Sequence, residues 1–295
     1  MEGNFAAVGE DQHQGGENVS ELFWIFILIS IFLPRLQQRH IEATRYRLIR
    51  QFEQRRKSRL ITLIHRQESL SWLGFTFSRF IDIEDSEEVL RAIRMTPGDM
   101  PIDLVLHTPG GLVLASEQIA RALVRHPAPV TVFVPHYAMS GGTLVALAAD
   151  DILMDPNAVL GPVDPQLGRF PAASILSAVR AKPVKDVEDE TLILADIAEK
   201  AQKQMLSLVK EILTPRLGEE EAGILAERLT SGEWTHDYPI TCEELTRMGI
   251  PVCGELPSEL HSLMALYPQP PTRRPSVQYV PMPYHKGYSP RDGRE

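Results

Sequence analysis

Two apolar segments, each ending in a glycine-rich turn that opens a helix, restrict this chain more than any other feature. The first is Leu104-Val105-Leu106, followed by Thr108-Pro109-Gly110-Gly111 and an amphipathic stretch to His126. The second is Val130 to Val134, followed by His136-Tyr137-Ala138-Met139-Ser140-Gly141-Gly142-Thr143 and a small-residue helix. Strands that alternate with helices pair in parallel through right-handed crossovers. Such α/β sheets gather functional groups at the carboxyl ends of their strands, which is where both glycine turns fall. A serine at a helix start, close to uncovered backbone N–H groups, supplies a nucleophile and oxyanion donors for acyl transfer.

The same alternation extends outward. Leu60-Ile61-Thr62-Leu63-Ile64 reads as a strand, and Phe75 to Ile83 as a second. Asp85-Ser86 ahead of Glu87-Glu88 marks a helix start. The helix from Gly111 to His126 places Leu112, Ala115, Ile119, Ala122 and Leu123 on one face and stops at Pro127. Asp151 to Met154 is another strand. Leu192 to Leu213 is a long amphipathic helix that Pro215 should end, and Glu219 to Thr230 is a further helix.

The termini differ from this core. Residues 1–17 are polar and acidic and offer little to bury, so disorder is expected. Residues 18–36 contain Leu22 to Leu33, apolar on every face and closed by Pro34. The run is shorter than the roughly 20 residues of a full span, yet its all-round apolarity reads best as a single-pass membrane anchor. A buried or interfacial helix is the other reading. A cleaved secretory signal is disfavoured, because the preceding segment is acidic. Residues 37–57 form a basic helix; Arg35, Arg39, Arg45, Arg47, Arg50, Arg55, Arg56, Lys57 and Arg59 follow the apolar run. They make either a solvated linker or the positive flank that keeps the folded domain cytoplasmic, against a lipid bilayer. The folded domain is expected over 58–267, and a disordered Pro-rich tail over 268–295.

A formal net charge of −9 argues against a nucleic-acid partner. Two cysteines, Cys242 and Cys253, permit at most one disulfide and no zinc framework. No metal motif and no nucleotide or dinucleotide loop occurs, so no cofactor is expected. Ser140 is the candidate nucleophile; its competing role is an ordinary N-cap. The N–H groups of Gly110 or Gly111, and of Gly141, are candidate oxyanion donors, against a plain role as turn glycines. His107 and His136 precede the two turns, and each either bonds loop backbone or, for His136, serves the serine. Asp164 is placed to orient a base or a loop. Trp234-Thr235-His236-Asp237-Tyr238 reads as structural or as a groove wall.

The order Thr-Pro-Gly-Gly, helix, strand, Met-Ser-Gly-Gly, helix, Gly-Pro-Val-Asp-Pro-Gln resembles the Clp-peptidase and crotonase-like superfamily. Within it the chain resembles the signal-peptide-peptidase-A branch and the membrane-anchored serine dehydrogenase proteinases. Ser231-Gly232-Glu233-Trp234-Thr235, Cys242-Glu243-Glu244-Leu245 and Met248-Gly249-Ile250 resemble the superfamily's later strand, helix and exit turn. The resemblance implies a spiral of ββα units, a serine nucleophile, peptide or membrane-protein substrates and a homo-oligomer. Clp peptidases carry a histidine in the turn that here reads Leu160 to Gln166, and this chain has none there. The signal-peptide-peptidase-A branch uses a later lysine, which points to Lys182, among apolar neighbours, over Lys185 beside Asp186. A lysine base needs a pKa lowered by burial or by a cationic neighbour. Two other readings remain open: a crotonase-like acyl-thioester enzyme, and an inactive membrane scaffold of the same fold.

Overall fold

The computed structural model describes residues 14–66, 80–250, 252 and 254–267. The expected disordered ends over 1–13 and 268–295, the 75–79 part of the second expected strand, and Cys253 lie outside the described residues.

Helix α1 (Gln14–Arg56) joins the apolar run and the basic stretch in one continuous element and passes through Pro34, which was expected to end it. Strand β1 (Arg59–Ile64), helix α2 (Ile83–Arg94), strand β2 (Ile102–His107), helix α3 (Val113–Val124), strand β3 (Val130–Val134), strand β4 (Tyr137–Ala138), helix α4 (Gly141–Leu147) and strand β5 (Asp151–Met154) follow. Beyond them come strands β6 (Val159–Leu160), β7 (Gln166–Leu167) and β8 (Phe170–Pro171), helices α5 (Ala172–Arg180), α6 (Asp189–Leu217) and α7 (Glu219–Thr230), strand β9 (Ile240–Thr241), and helices α8 (Cys242–Arg247) and α9 (Ser258–Ala265).

The main sheet has the order β1-β2-β3-β5, all parallel. Strands β2 and β3 are buried at every position, as expected for strands covered on both faces. A second sheet stands at the carboxyl end: β4 pairs parallel with β6, and β6 antiparallel with β9. An isolated parallel bridge joins Ala138 of β4 to Thr108, which ties this second layer to the turn after β2.

Several element boundaries differ from the sequence reading. Helix α2 begins at Ile83, because Asp82 and Asp85 form a reciprocal capping box upstream of the expected start. Helix α6 continues through Pro215 to Leu217 and ends at Gly218, where φ is +85°. A proline in the last turn removes one N–H but need not end a helix whose following residues pack. The short strands β4, β6, β7, β8 and β9 have too few residues for any periodicity to show.

The basic half of α1 is docked and not simply solvated. Phe52 is 2% exposed and meets Phe133 edge-on at 5.8 Å, in a cluster with Leu260, Leu263 and Met264. Arg56 makes a two-point ion pair with the buried Asp103, Arg55 pairs with Glu259, and Arg45 stacks 3.8 Å over Tyr267. Arg35, Arg39, Arg47 and Arg50 stay exposed. Most side chains of the apolar run at 22–33 lie outside the described set. Among the described residues no helix is long and apolar enough to cross a membrane.

Candidate active site

Ser140 stands just ahead of α4 with φ +51° and ψ −116°. A non-glycine residue held there costs about 1–3 kcal/mol and persists only when its surroundings impose it. Its side chain makes no capping hydrogen bond, so the N-cap role is unfilled. The hydroxyl sits on a partly exposed residue at the carboxyl end of the second β-α unit.

The backbone around it is fixed from two directions. Thr108 N–H donates to Tyr137 O at 3.2 Å, and Met139 N–H donates to Thr108 O at 3.0 Å. These bonds lock the first glycine turn against the serine turn. Gly110, at φ +110°, has no room for a side chain: a Cβ there would lie 2.9 Å from both Met139 O and Ser140 Cβ. A Cβ on Gly141 would lie 2.3 Å from Ser116 Oγ. Here glycine is required by close approach, which goes beyond a general need for a turn.

The direction of the N–H groups follows from pairing. Ile81 N–H donates to Gly110 O, and Leu112 N–H donates to Ile81 O, both at 2.8 Å. In a parallel bridge the residue between those two points its own N–H to the opposite side. Gly111 therefore turns its N–H away from Ile81. The Gly111 nitrogen is 3.4 Å from where a Cβ on Gly141 would stand, so the Gly111 and Gly141 amides border one small space beside Ser140. Among the described residues neither amide has a protein acceptor. Gly110 N–H, the other expected donor, is taken by Thr108 Oγ1 at 3.2 Å.

A buried pair braces this turn from below. His65 Nδ1 lies 2.9 Å from Thr108 Oγ1 and its Nε2 lies 3.2 Å from an Asp85 oxygen. The sequence reading passed over His65, because its partners come from two other elements.

His107 does not bond loop backbone through Nδ1, which is buried without a partner. Its ring lies 5.5 Å from His136 and 4.3 Å from Tyr137. Burial, with Arg66, His136 and His65 close by, lowers its pKa to about 4. Burial and Arg66 also lower that of His136, which makes no described hydrogen bond to Ser140.

The structure does not meet the expectation of a desolvated lysine. Lys182 follows α5 and is exposed, as are Ala181, Pro183, Val184 and Lys185. Apolar neighbours in sequence project into solvent here, so they provide no dry setting for an ammonium.

Asp164, by contrast, is buried and does orient a histidine. Its Oδ1 accepts from His236 Nδ1 at 2.7 Å, and its Oδ2 accepts from Gln166 Nε2 at 2.6 Å. Next to this pair a groove of about 750 Å³ runs between α3 and α6, lined by Val113, Glu117, Pro165, Gln166 and Met205 among others. Among the described residues no cluster of three or more His, Cys, Asp or Glu could hold a metal ion.

The family model described as ClpP-like SDH-type serine proteinase matches residues 12–293. Two uncharacterized proteins of Methanocaldococcus jannaschii are similar along nearly the whole length. One is 55% identical over 272 residues, 92% of this chain and 93% of that protein. The other is 53% identical over 264 residues, 90% of this chain and 92% of that protein. Among solved structures, a mutant of the membrane-bound stomatin-specific protease 1510-N is 21% identical, with a TM-score of 0.43 over 62% of this chain and 79% of that one.

Proposed function

This chain belongs to the ClpP-like SDH-type serine proteinase family and is a serine peptidase; we propose that Ser140 is its nucleophile and that it cuts extended peptide segments at a membrane surface. The observation that carries the assignment is Ser140 itself: a strained, uncapped serine beside two amides, Gly111 and Gly141, that have no acceptor among the described residues. Attack by Oγ on a peptide carbonyl places negative charge on its oxygen. Two fixed N–H groups stabilise that charge without having to reorganise. The glycines leave the approach open to a substrate backbone, and the exposed Leu112, Val113 and Leu114 offer apolar contact beside it.

A crotonase-like thioester enzyme would use the same two amides but would not require the strained serine. Hydrolysis of unfolded casein by the full chain in detergent micelles, lost in Ser140→Ala, tests the peptidase assignment. The Ser–Lys form of the mechanism requires a bound peptide or a second subunit to cover Lys182 and remove its proton. Casein hydrolysis by Lys182→Met tests that form.

The run Leu22 to Leu33 is the membrane attachment in this proposal, with the exposed Arg35, Arg39, Arg47 and Arg50 toward anionic headgroups and the folded domain cytoplasmic. Exposed Trp24, Phe26, Phe32 and Leu33 support the attachment. Retention in the membrane pellet after carbonate is expected, and release would refute it. A homo-oligomer belongs to the same proposal, since Ile193 and Ile197 on α6 and Val184 before it are exposed. Light scattering in detergent measures it.

A further inference from the structure

We propose that Ser116, a buried serine on α3, is a positioning residue of the oxyanion site: its hydroxyl holds Gly141 in place and turns toward the charge formed between the Gly111 and Gly141 amides. This rests on Ser140 being the nucleophile.

The sequence puts Ser116 on the core stripe of α3. Ser116, Ile119, Ala120 and Leu123 recur at helical spacing, and none is more than 1% exposed. Three of them are apolar. The fourth carries a hydroxyl where alanine, a better helix former, would serve the core. Among the described residues Ser116 Oγ is the one fully buried hydroxyl with no hydrogen-bond partner. Other hydroxyls on helices of this chain find a partner locally. Thr214 Oγ1 and Thr230 Oγ1 donate to the carbonyls four residues back, each at 2.8 Å. The corresponding carbonyl for Ser116, that of Leu112, accepts the Ser116 N–H at 3.0 Å and nothing from Oγ. An unpaired buried hydroxyl destabilises a fold, so its presence calls for a reason outside folding.

The direction of Oγ supplies that reason. A Cβ on Gly141 would stand 2.3 Å from Ser116 Oγ, 3.1 Å from Ser116 Cβ and 3.4 Å from the Gly111 nitrogen. The hydroxyl therefore packs on the Gly141 backbone, and the Gly111 amide borders the same spot. A Cβ on Gly110 would lie 3.3 Å from the Gly141 nitrogen. Gly141 is thus held between α3 and the first glycine turn. Oγ fills the space into which Gly141 would relax while Ser140 is kept at φ +51°.

The hydroxyl is also available as a dipole. The two other buried hydroxyls near this turn are committed: Thr108 Oγ1 to His65 and the Gly110 N–H, and Thr143 Oγ1 to the Gly161 N–H and the Ala138 carbonyl. The Ser116 hydrogen has no acceptor to fix it and can rotate. When Ser140 Oγ bonds the substrate's carbonyl carbon, the carbonyl oxygen gains negative charge beside Gly111 and Gly141. The positive end of the Ser116 O–H dipole then turns toward that charge. Before attack there is no such charge to face, so the gain belongs to the transition state and not to substrate binding.

The test is Ser116→Ala in the full chain in detergent micelles, read by casein hydrolysis and a thermal melt. The kcat should fall about 10-fold, less than the 10²–10³-fold of a lost oxyanion donor. KM should stay unchanged, and the melting temperature should hold or rise. A kcat at the wild-type level overturns the inference. So does a loss that comes with a lower melting temperature or a raised KM, since both mark a packing role alone. A double-mutant cycle reads the contact itself. Gly141→Ala should cost less kcat in the Ser116→Ala background than in the wild type, because its Cβ no longer meets Oγ; equal losses in both backgrounds also overturn the inference. Failure of the nucleophile assignment has a different signature: the wild-type chain takes no fluorophosphonate label at Ser140.

Discussion

Two histidine–carboxylate pairs in the folded domain differ in what they leave available. His65 uses one ring nitrogen on Thr108 and the other on Asp85, beneath the first glycine turn. His236 uses Nδ1 on Asp164 and keeps Nε2 toward partly open space. The same two residue types therefore use both ring nitrogens in one place and a single one in the other. Burial decides which.

The largest expected effect comes at Ser140. Ser140→Ala should lower turnover on the order of 10⁴-fold or more, with the melting temperature held, because alanine carries the same strain at φ +51° and no capping hydrogen bond is lost. Casein hydrolysis and a thermal melt read the two quantities. Gly141→Ala should be slower by about 10²–10³-fold, in the range of a lost oxyanion donor, since its Cβ meets Ser116 Oγ and displaces the amide.

The brace should fail differently. His65→Ala takes one partner each from Asp85 and Thr108, and should cost about 1–3 kcal/mol of stability. That loss appears in a denaturant titration, and imidazole should not rescue turnover. If His65→Ala keeps full stability, the brace is not what holds the turn.

How much of this was readable in the sequence depends on distance along the chain. The strand–glycine–helix units, the site of Ser140 and helix α7 each occupy a few contiguous residues, and a period or a turn signature reveals them. The Asp164–His236 pair spans 72 residues, so no spacing rule joins it, although Asp164 could be read as an orienting residue. The exposure of Lys182 was not legible, because apolar neighbours in sequence imply burial only when the segment packs. Pro34 and Pro215 misled because proline penalises one hydrogen bond, which neighbouring turns can outweigh. Of the two glycines in the first turn, only the pairing with Ile81 distinguishes the amide that is open from the one that is occupied.

The smallest effect concerns pH. His107, lowered to about 4 from an ordinary value near 6.5, is neutral in the folded protein and takes a proton more readily when unfolded. The unfolded state binds more protons between those values, so stability falls as pH drops from 6.5 toward 4, by at most about 3 kcal/mol from this group. Melts of wild type and His107→Gln across that window should show a shallower slope in the variant. Equal slopes would remove His107 from the account.

The central claim is that Ser140 is the activated nucleophile of a serine peptidase. Reaction of the full chain with a fluorophosphonate, followed by proteolysis and mass mapping, tests it most directly. The account predicts a single adduct on the peptide containing Ser140, absent in Ser140→Ala together with casein hydrolysis. An adduct on another serine such as Ser116, or casein hydrolysis that survives in Ser140→Ala, would contradict it.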